Sequence, residues 1–212
     1  MKKRIISGLF LFLFIVLMIL VKNVDVKPIG PNGTLVGFSS INESFHNLTG
    51  VNYLWYEITD TLGIVAILLC VVFGFIGFLQ LIYRKKLFSV DIEILALGVL
   101  FIITIGLYVL FNVVTINQRP VIIPGDTELE ASFPSSHTML AIVVFGSVSM
   151  IISKYVKDNN ISRIIKITLN TLIIIAIIGR LLSGVHWFTD IVGAILMSIS
   201  LLLAYNSVIE KH

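Results

Sequence analysis

The sequence predicts an all-α integral membrane protein: six transmembrane helices in one bundle, with both termini in the cytoplasm. Three observations predict it. First, 57% of the 212 residues are hydrophobic and 13% are charged, at a mean hydropathy of +1.03, whereas ordinary soluble domains are ~25% charged. A water-soluble core of this size cannot bury so much apolar surface, because small domains keep a large share of their surface in water. Second, the apolar residues fall in six long runs, near the ~20 residues a helix needs to cross the hydrocarbon. Third, the loops between the runs alternate between rich and poor in lysine and arginine, as the positive-inside rule requires. The composition excludes a soluble globular enzyme, a disordered chain and a disulfide scaffold. Cys70, the single cysteine, has no partner for an intrachain disulfide.

The runs are Ile5–Val21, Thr61–Tyr83, Val90–Phe111, Met139–Ile152, Ile164–Leu182 and Phe188–Tyr205. Lys2, Lys3 and Arg4 precede the first run in the manner of a secretory signal. That run continues to Val21 and no small-residue cleavage site follows it, so it is read as a retained span. The short fourth run is extended by Thr138 and Ser153 without added charge. None of the runs alternates polar and apolar residues, which excludes outer-membrane barrel strands.

Eleven of the fifteen basic residues mark one side: Lys2, Lys3, Arg4, Arg84, Lys85, Lys86, Lys154, Lys157, Arg163, Lys166 and Lys211. Lys22, Lys27, Arg119 and Arg180 mark the other. The first side is therefore read as cytoplasmic. The net charge of +3 reflects these loop anchors and implies no nucleic acid. Residues 22–60 are read as an extracytoplasmic loop with a Pro28–Gly33 turn cluster and an interfacial helix over Val51–Asp60. Tyr53, Trp55, Tyr56 and Trp187 are expected at the outer interface. Asn32, Asn42 and Asn47 each begin an Asn-x-Ser/Thr triplet, which an Asn- and Ser-rich loop also produces by chance. His46 and His212 are read as exposed loop and tail residues.

The remaining ionisable residues lie at the outer ends of the spans. Arg119 follows the third span, and His137 closes Pro134-Ser135-Ser136-His137 ahead of the fourth. Arg180 ends the fifth, and His186 and Asp190 open the sixth. Ionisable groups at membrane depth are costly and default to function. His186 and Asp190 are four apart and would share a helical face. Arg180, six residues earlier, would point about 240° away on a continuous helix, so Ser183-Gly184 is read as a break. A carboxylate on one imidazole nitrogen fixes the tautomer and aims the other outward as base or nucleophile. Arginine forks match phosphate oxygens, and the backbone entering a helix at Ser135–His137 is an anion site. Together these groups suggest phosphoryl transfer: phosphate held by arginines, attacked in line by His186, its leaving oxygen protonated by His137.

Arg119-Pro120, Pro134-Ser135-Ser136-His137 and Arg180-x5-His186-x3-Asp190 resemble the three motifs of the type 2 phosphatidate phosphatase superfamily: Lys-x6-Arg-Pro, Pro-Ser-Gly-His and Ser-Arg-x5-His-x3-Asp. The resemblance spans Phe111 to Leu203 within a single membrane-embedded domain, residues 1–212. It implies a phosphatase acting on a phospholipid or prenyl-phosphate substrate in the bilayer, through a phosphohistidine and without a metal ion or other cofactor. It further implies His186 as nucleophile, Asp190 as its partner and His137 as general acid. Arg119 and Arg180 would bind phosphate, with Ser135 and Ser136 assisting. In a cell envelope with the site facing outward, undecaprenyl diphosphate fits, and phosphatidate or phosphatidylglycerophosphate fits the same residues. Three positions depart from the pattern: Asn112 stands where the family has lysine, Ser136 replaces glycine, and Gly179 replaces serine. Loss of a charge-assisted contact at Asn112 would weaken phosphate binding by ~1–3 kcal/mol.

Other readings compete. A catalytically impaired or non-catalytic lipid-phosphate-binding protein is the alternative that Asn112 raises. A transporter would place its polar groups near the midplane in paired repeats, and the sequence shows no repeat. Asp126, Glu128 and Glu130 are read as solvated acids of a loop. Ser183, His186 and Asp190 invite a serine-hydrolase reading but lack an oxyanion hole or nucleophile elbow.

Overall fold

A computed structural model describes residues 1–211 apart from Pro124; His212 lies outside the described residues. Among the described residues seven α-helices follow one another: α1 (Lys2–Asn23), α2 (Ser39–Thr49), α3 (Tyr53–Arg84), α4 (Ile92–Val113), α5 (Ser136–Tyr155), α6 (Asn159–Leu182) and α7 (Phe188–Ile209). All but α2 are long and apolar enough to cross a membrane. The chain is thus a multi-pass, all-helical membrane protein, with the six spans where the hydropathy runs place them.

The loop expected over residues 22–60 is shorter and more ordered than predicted. Val51–Asp60 is no separate interfacial helix, since Tyr53–Asp60 form the first two turns of α3. Asn52 caps α3 by accepting a hydrogen bond from the Trp55 N–H at 3.2 Å, and nothing after it breaks the helical register. At 1.5 Å per residue, 32 residues make a rod of ~48 Å, longer than the ~30 Å hydrocarbon. One end of α3 therefore projects beyond the span and flanks the polar residues there. The short α2 was not foreseen. Asn42, on its inner face, is fully buried and donates to the Gly37 carbonyl (2.8 Å) and to Thr189 Oγ1 (3.0 Å). Its own Oδ1 accepts from the Thr189 N–H (3.1 Å). The Asn42 triplet is thus a tether between α2 and the first turn of α7, closed to glycosylation.

α5 lies at the centre, its Ala141–Val148 stretch wholly buried. α7 packs on α5 and α1, where Ser7 and Ser200 exchange hydroxyl-to-carbonyl hydrogen bonds of 2.8 and 2.9 Å. Midway along α1, Phe14 stacks on Phe133 with ring centroids 5.7 Å apart. Phe133 fills the space that a side chain at Gly193 would take. The ends of the helices rich in lysine and arginine are joined by Arg84–Asp91 (2.8 Å), Lys154–Glu93 (2.7 Å) and the Lys3–Glu210 pair. The predicted site residues gather at the opposite end.

Candidate active site

Two connections assemble that end. The first runs from α4 to α5. Its residues 117–119 and 130–132 pair as a short antiparallel ladder, with Arg119 N–H to Glu130 carbonyl at 3.0 Å and Ser132 N–H to Asn117 carbonyl at 2.9 Å. The ladder folds the loop back over the bundle and buries Arg119. The second is the Ser183–Trp187 link between α6 and α7. α6 stops at Leu182, and Gly184 turns the chain at φ +66°. A Cβ on Gly184 would lie 1.8 Å from the Gly50 carbonyl oxygen, so only glycine suits both the left-handed φ and the close approach. The break expected at Ser183-Gly184 is present, and it lets Arg180 and His186 face a common space.

Arg180 is fully buried on the last turn of α6, Asp190 is fully buried in α7, and Arg119 and His186 are 6% and 4% exposed. The Arg180 guanidinium lies over the Tyr56 ring, 5.0 Å from its centroid, and its Nη2 is 3.7 Å from Asp60 Oδ1. Asp60 Oδ1 also contacts His137 Nε2 at 2.9 Å. Arg119 pairs with Glu130 Oε2 at 2.8 Å. The Nε and Nη1 of Arg119, the Nε, Nη1 and Nη2 of Arg180, and both ring nitrogens of His186 have no hydrogen-bond partner among the described residues. Burial, followed by the positive charges of Arg119, Arg180 and His137, pushes His186 well below the ordinary imidazole range. His186 therefore stays neutral near pH 7, as a nitrogen nucleophile must.

His186 and Asp190 are adjacent, but not as two residues on one helix. α7 begins at Phe188, so His186 precedes it. Asp190 instead caps that helix, its Oδ2 accepting the Trp187 N–H at 2.9 Å. His186 Nδ1 stands 3.6 Å from the same oxygen, too long for a hydrogen bond. Ser135 ties two helices together. Its N–H donates to the Asp190 carbonyl (3.1 Å) and its hydroxyl contacts Thr138 Oγ1 (3.0 Å), so it braces α5 against α7. Ser136 opens α5 with a negative φ, which serine adopts as readily as glycine, and it lies beside His137. Asn112 is exposed and faces a small cleft with Tyr108, Pro134 and Ser136. The Ser183 hydroxyl donates to the Arg180 carbonyl at 2.7 Å, at the end of the last turn of α6.

Several residues read as interfacial or solvated prove to belong here. Trp187 is buried and donates from Nε1 to the Gln118 carbonyl (2.8 Å). His46 is half-buried against the Trp187 ring, and Glu130 holds Arg119 while Asp126 and Glu128 stay exposed. Tyr56 and Asp60 carry no motif, and no spacing links α3 to α5 or α6, so only the folded packing discloses them. Beside His137, an apolar cleft of about 460 Å³ opens between α3, α4 and α5, lined among others by Ile67, Ile105, Tyr108, Met139 and Leu140.

Fold and site together define a six-span membrane protein with paired arginines and histidines buried where its helices meet at one end. The family model of the PAP2 superfamily matches residues 93–212, more than half of the chain. The chain belongs to the PAP2 superfamily. Its fold is similar to the crystal structure of a transmembrane PAP2-type phosphatidylglycerolphosphate phosphatase from Bacillus subtilis, with a TM-score of 0.65 at 20% identity, covering 100% of this chain and 98% of that one. No curated protein sequence matches significantly.

Proposed function

We propose that this protein is a lipid phosphatase that hydrolyses a lipid phosphate or prenyl diphosphate at the extracytoplasmic face through a phosphohistidine on His186. The observation that carries this reading is the set of buried cationic and imidazole nitrogens without protein partners on Arg119, Arg180 and His186. A buried guanidinium left without an acceptor is expensive, and a phosphate bound bidentately by two such groups satisfies them together. Membership of the PAP2 superfamily supports the same chemistry.

In this mechanism Arg119 and Arg180 bind the non-bridging oxygens and hold the phosphorus in line with His186 Nε2. The neutral imidazole attacks, an N–P bond forms, and the bond to the leaving oxygen breaks as His137 gives that oxygen a proton. Asp190 stabilises the positive charge on the phosphorylated ring. Water then attacks phosphorus, His137 takes back a proton, and inorganic phosphate leaves. Ser136 lies beside His137, where a hydroxyl can reach the phosphate, and Asn112 shares a small cleft with Ser136. The apolar cleft beside His137 suits an acyl or prenyl tail, which supports a lipid as substrate. The eleven basic residues at the other end support an outward-facing site.

Purified protein should release phosphate from at least one of phosphatidate, phosphatidylglycerophosphate and undecaprenyl diphosphate, and His186→Ala should abolish release. Wild type that binds such a lipid for hours without hydrolysing it would instead establish the non-catalytic alternative.

A further inference from the structure

Asp60 is an acidic side chain placed among phosphate-binding cations, and neither the motifs nor the mechanism above uses it. α3, which carries it, lies wholly outside the segment matched by the PAP2 family model. Its site-facing stripe is Trp55, Tyr56, Thr59, Asp60 and Gly63, the three-and-four spacing of one helical face. Each residue of the stripe meets the site. Tyr56 lies under Arg180. Trp55 and Thr59 close on Gly179, where an added Cβ would come within 2.9 Å and 2.7 Å of their carbons. Gly63 seats His137, whose Cδ2 lies 3.0 Å from the position a Cβ would occupy. Asp60, one turn earlier, meets the same imidazole at Nε2, 2.9 Å away. The Cδ2–Nε2 edge of His137 is therefore held against α3, by a glycine that admits it and a carboxylate that binds it.

We propose that Asp60 is the positioning residue of the general acid: it holds His137 Nε2–H, fixes the ring against α3, and leaves Nδ1 as the nitrogen that gives its proton to the leaving oxygen. The inference rests on the phosphatase reading above. The other charged groups about His137 are Arg180 and Arg119, both cations. Asp60 supplies the opposing charge. Among the described residues Nδ1 has only the Ser136 hydroxyl near it, at 3.5 Å, too far for an effective bond, so its proton is available. The step balances. As the His186 Nε2–P bond forms and the P–O bond breaks, the Nδ1–H proton passes to the departing alkoxide or phosphate oxygen. His137 is left neutral with Nε2–H still on Asp60. In the second step Nδ1 takes a proton from water as its oxygen bonds phosphorus and the N–P bond breaks.

The test compares two leaving groups. The panel lipid turned over fastest is prepared with oxygen or with sulfur at the bridging position, because a thiolate leaves without the proton an alkoxide needs. Asp60→Asn should lower kcat on the oxygen ester by roughly 10–100-fold, within the range of general-acid catalysis. The loss on the sulfur ester should be at least tenfold smaller, with KM little changed on either. Asp60→Glu should recover part of the loss. In a His137→Ala background, Asp60→Asn should cost nothing further, because the two residues act as one unit. Glu57→Gln, one turn outward on α3 and exposed, controls for loss of an acid from that end. Equal losses on both esters, or additive losses in the double variant, would reduce Asp60 to a structural residue and overturn the proposal. If wild type hydrolyses no ester of either kind, the phosphatase reading itself falls; if wild type is active and Asp60→Asn matches it on both, only this inference falls.

Discussion

At the scale of single residues, the burial of His186 ties stability to pH. Burial first, then the neighbouring cations, keeps its imidazole neutral in the folded protein, whereas in the unfolded chain it takes a proton near pH 6.5. Below that pH the unfolded state binds more protons, so stability is intact above it and is lost as pH falls, by at most ~1.4 kcal/mol per pH unit. Thermal unfolding in detergent should therefore fall in midpoint from about pH 7 to about pH 5. His186→Gln, which cannot charge, should flatten that slope; an unchanged slope would contradict the assignment. Arg119, His137, Arg180, His186 and Asp190 were legible in the sequence because an ionisable group in so apolar a chain stands out and their spacings carry a pattern. Asp60 and Tyr56 were not, because an acid and an aromatic at the end of a span are also what a membrane interface selects. Asn42 was hidden differently: its triplet has a sequence meaning that burial cancels.

At the scale of elements, α3 turns a set of motifs into a site. The chain departs from the family pattern at Gly179, and packing gives the reason: Thr59 and Trp55 occupy the space a side chain there would need. Gly179→Ser, which restores the family residue, should push α3 away from α6, cost ~1–3 kcal/mol as overpacked cores do, and reduce activity with Asp60 displaced. A Gly179→Ser protein with wild-type melting and turnover would show that α3 does not seat there. α2 has an analogous tie. Asn42→Ala removes three hydrogen bonds to Gly37 and Thr189 and leaves buried partners behind, so a loss of ~1–3 kcal/mol is expected, measurable as a lowered melting temperature. Hydropathy gave the six spans to within a turn or two, except at α3, whose polar first two turns hid a helix continuing past the membrane. A single helical register crossing from polar to apolar surroundings has no boundary signal to read.

At the scale of the whole molecule, two ends of the bundle divide the labour. One carries the lysine and arginine clusters with their ion pairs, the other the buried arginines and histidines; between them the exposed apolar faces of α1, α3, α4 and α6 meet lipid. In a Cys70→Ala background, Thr127→Cys in the exposed α4–α5 loop should react with an impermeant thiol reagent on intact cells, and Lys86→Cys at the basic end should react only after lysis. The reverse pattern would put the site in the cytoplasm. The central claim is that phosphate passes through His186. Brief incubation with a lipid carrying radiolabelled phosphate, followed by denaturation at alkaline pH, should trap label on the protein that is stable to base, released by acid, and located on the peptide holding His186. Label absent from wild type during active turnover, or undiminished in His186→Ala, would contradict it.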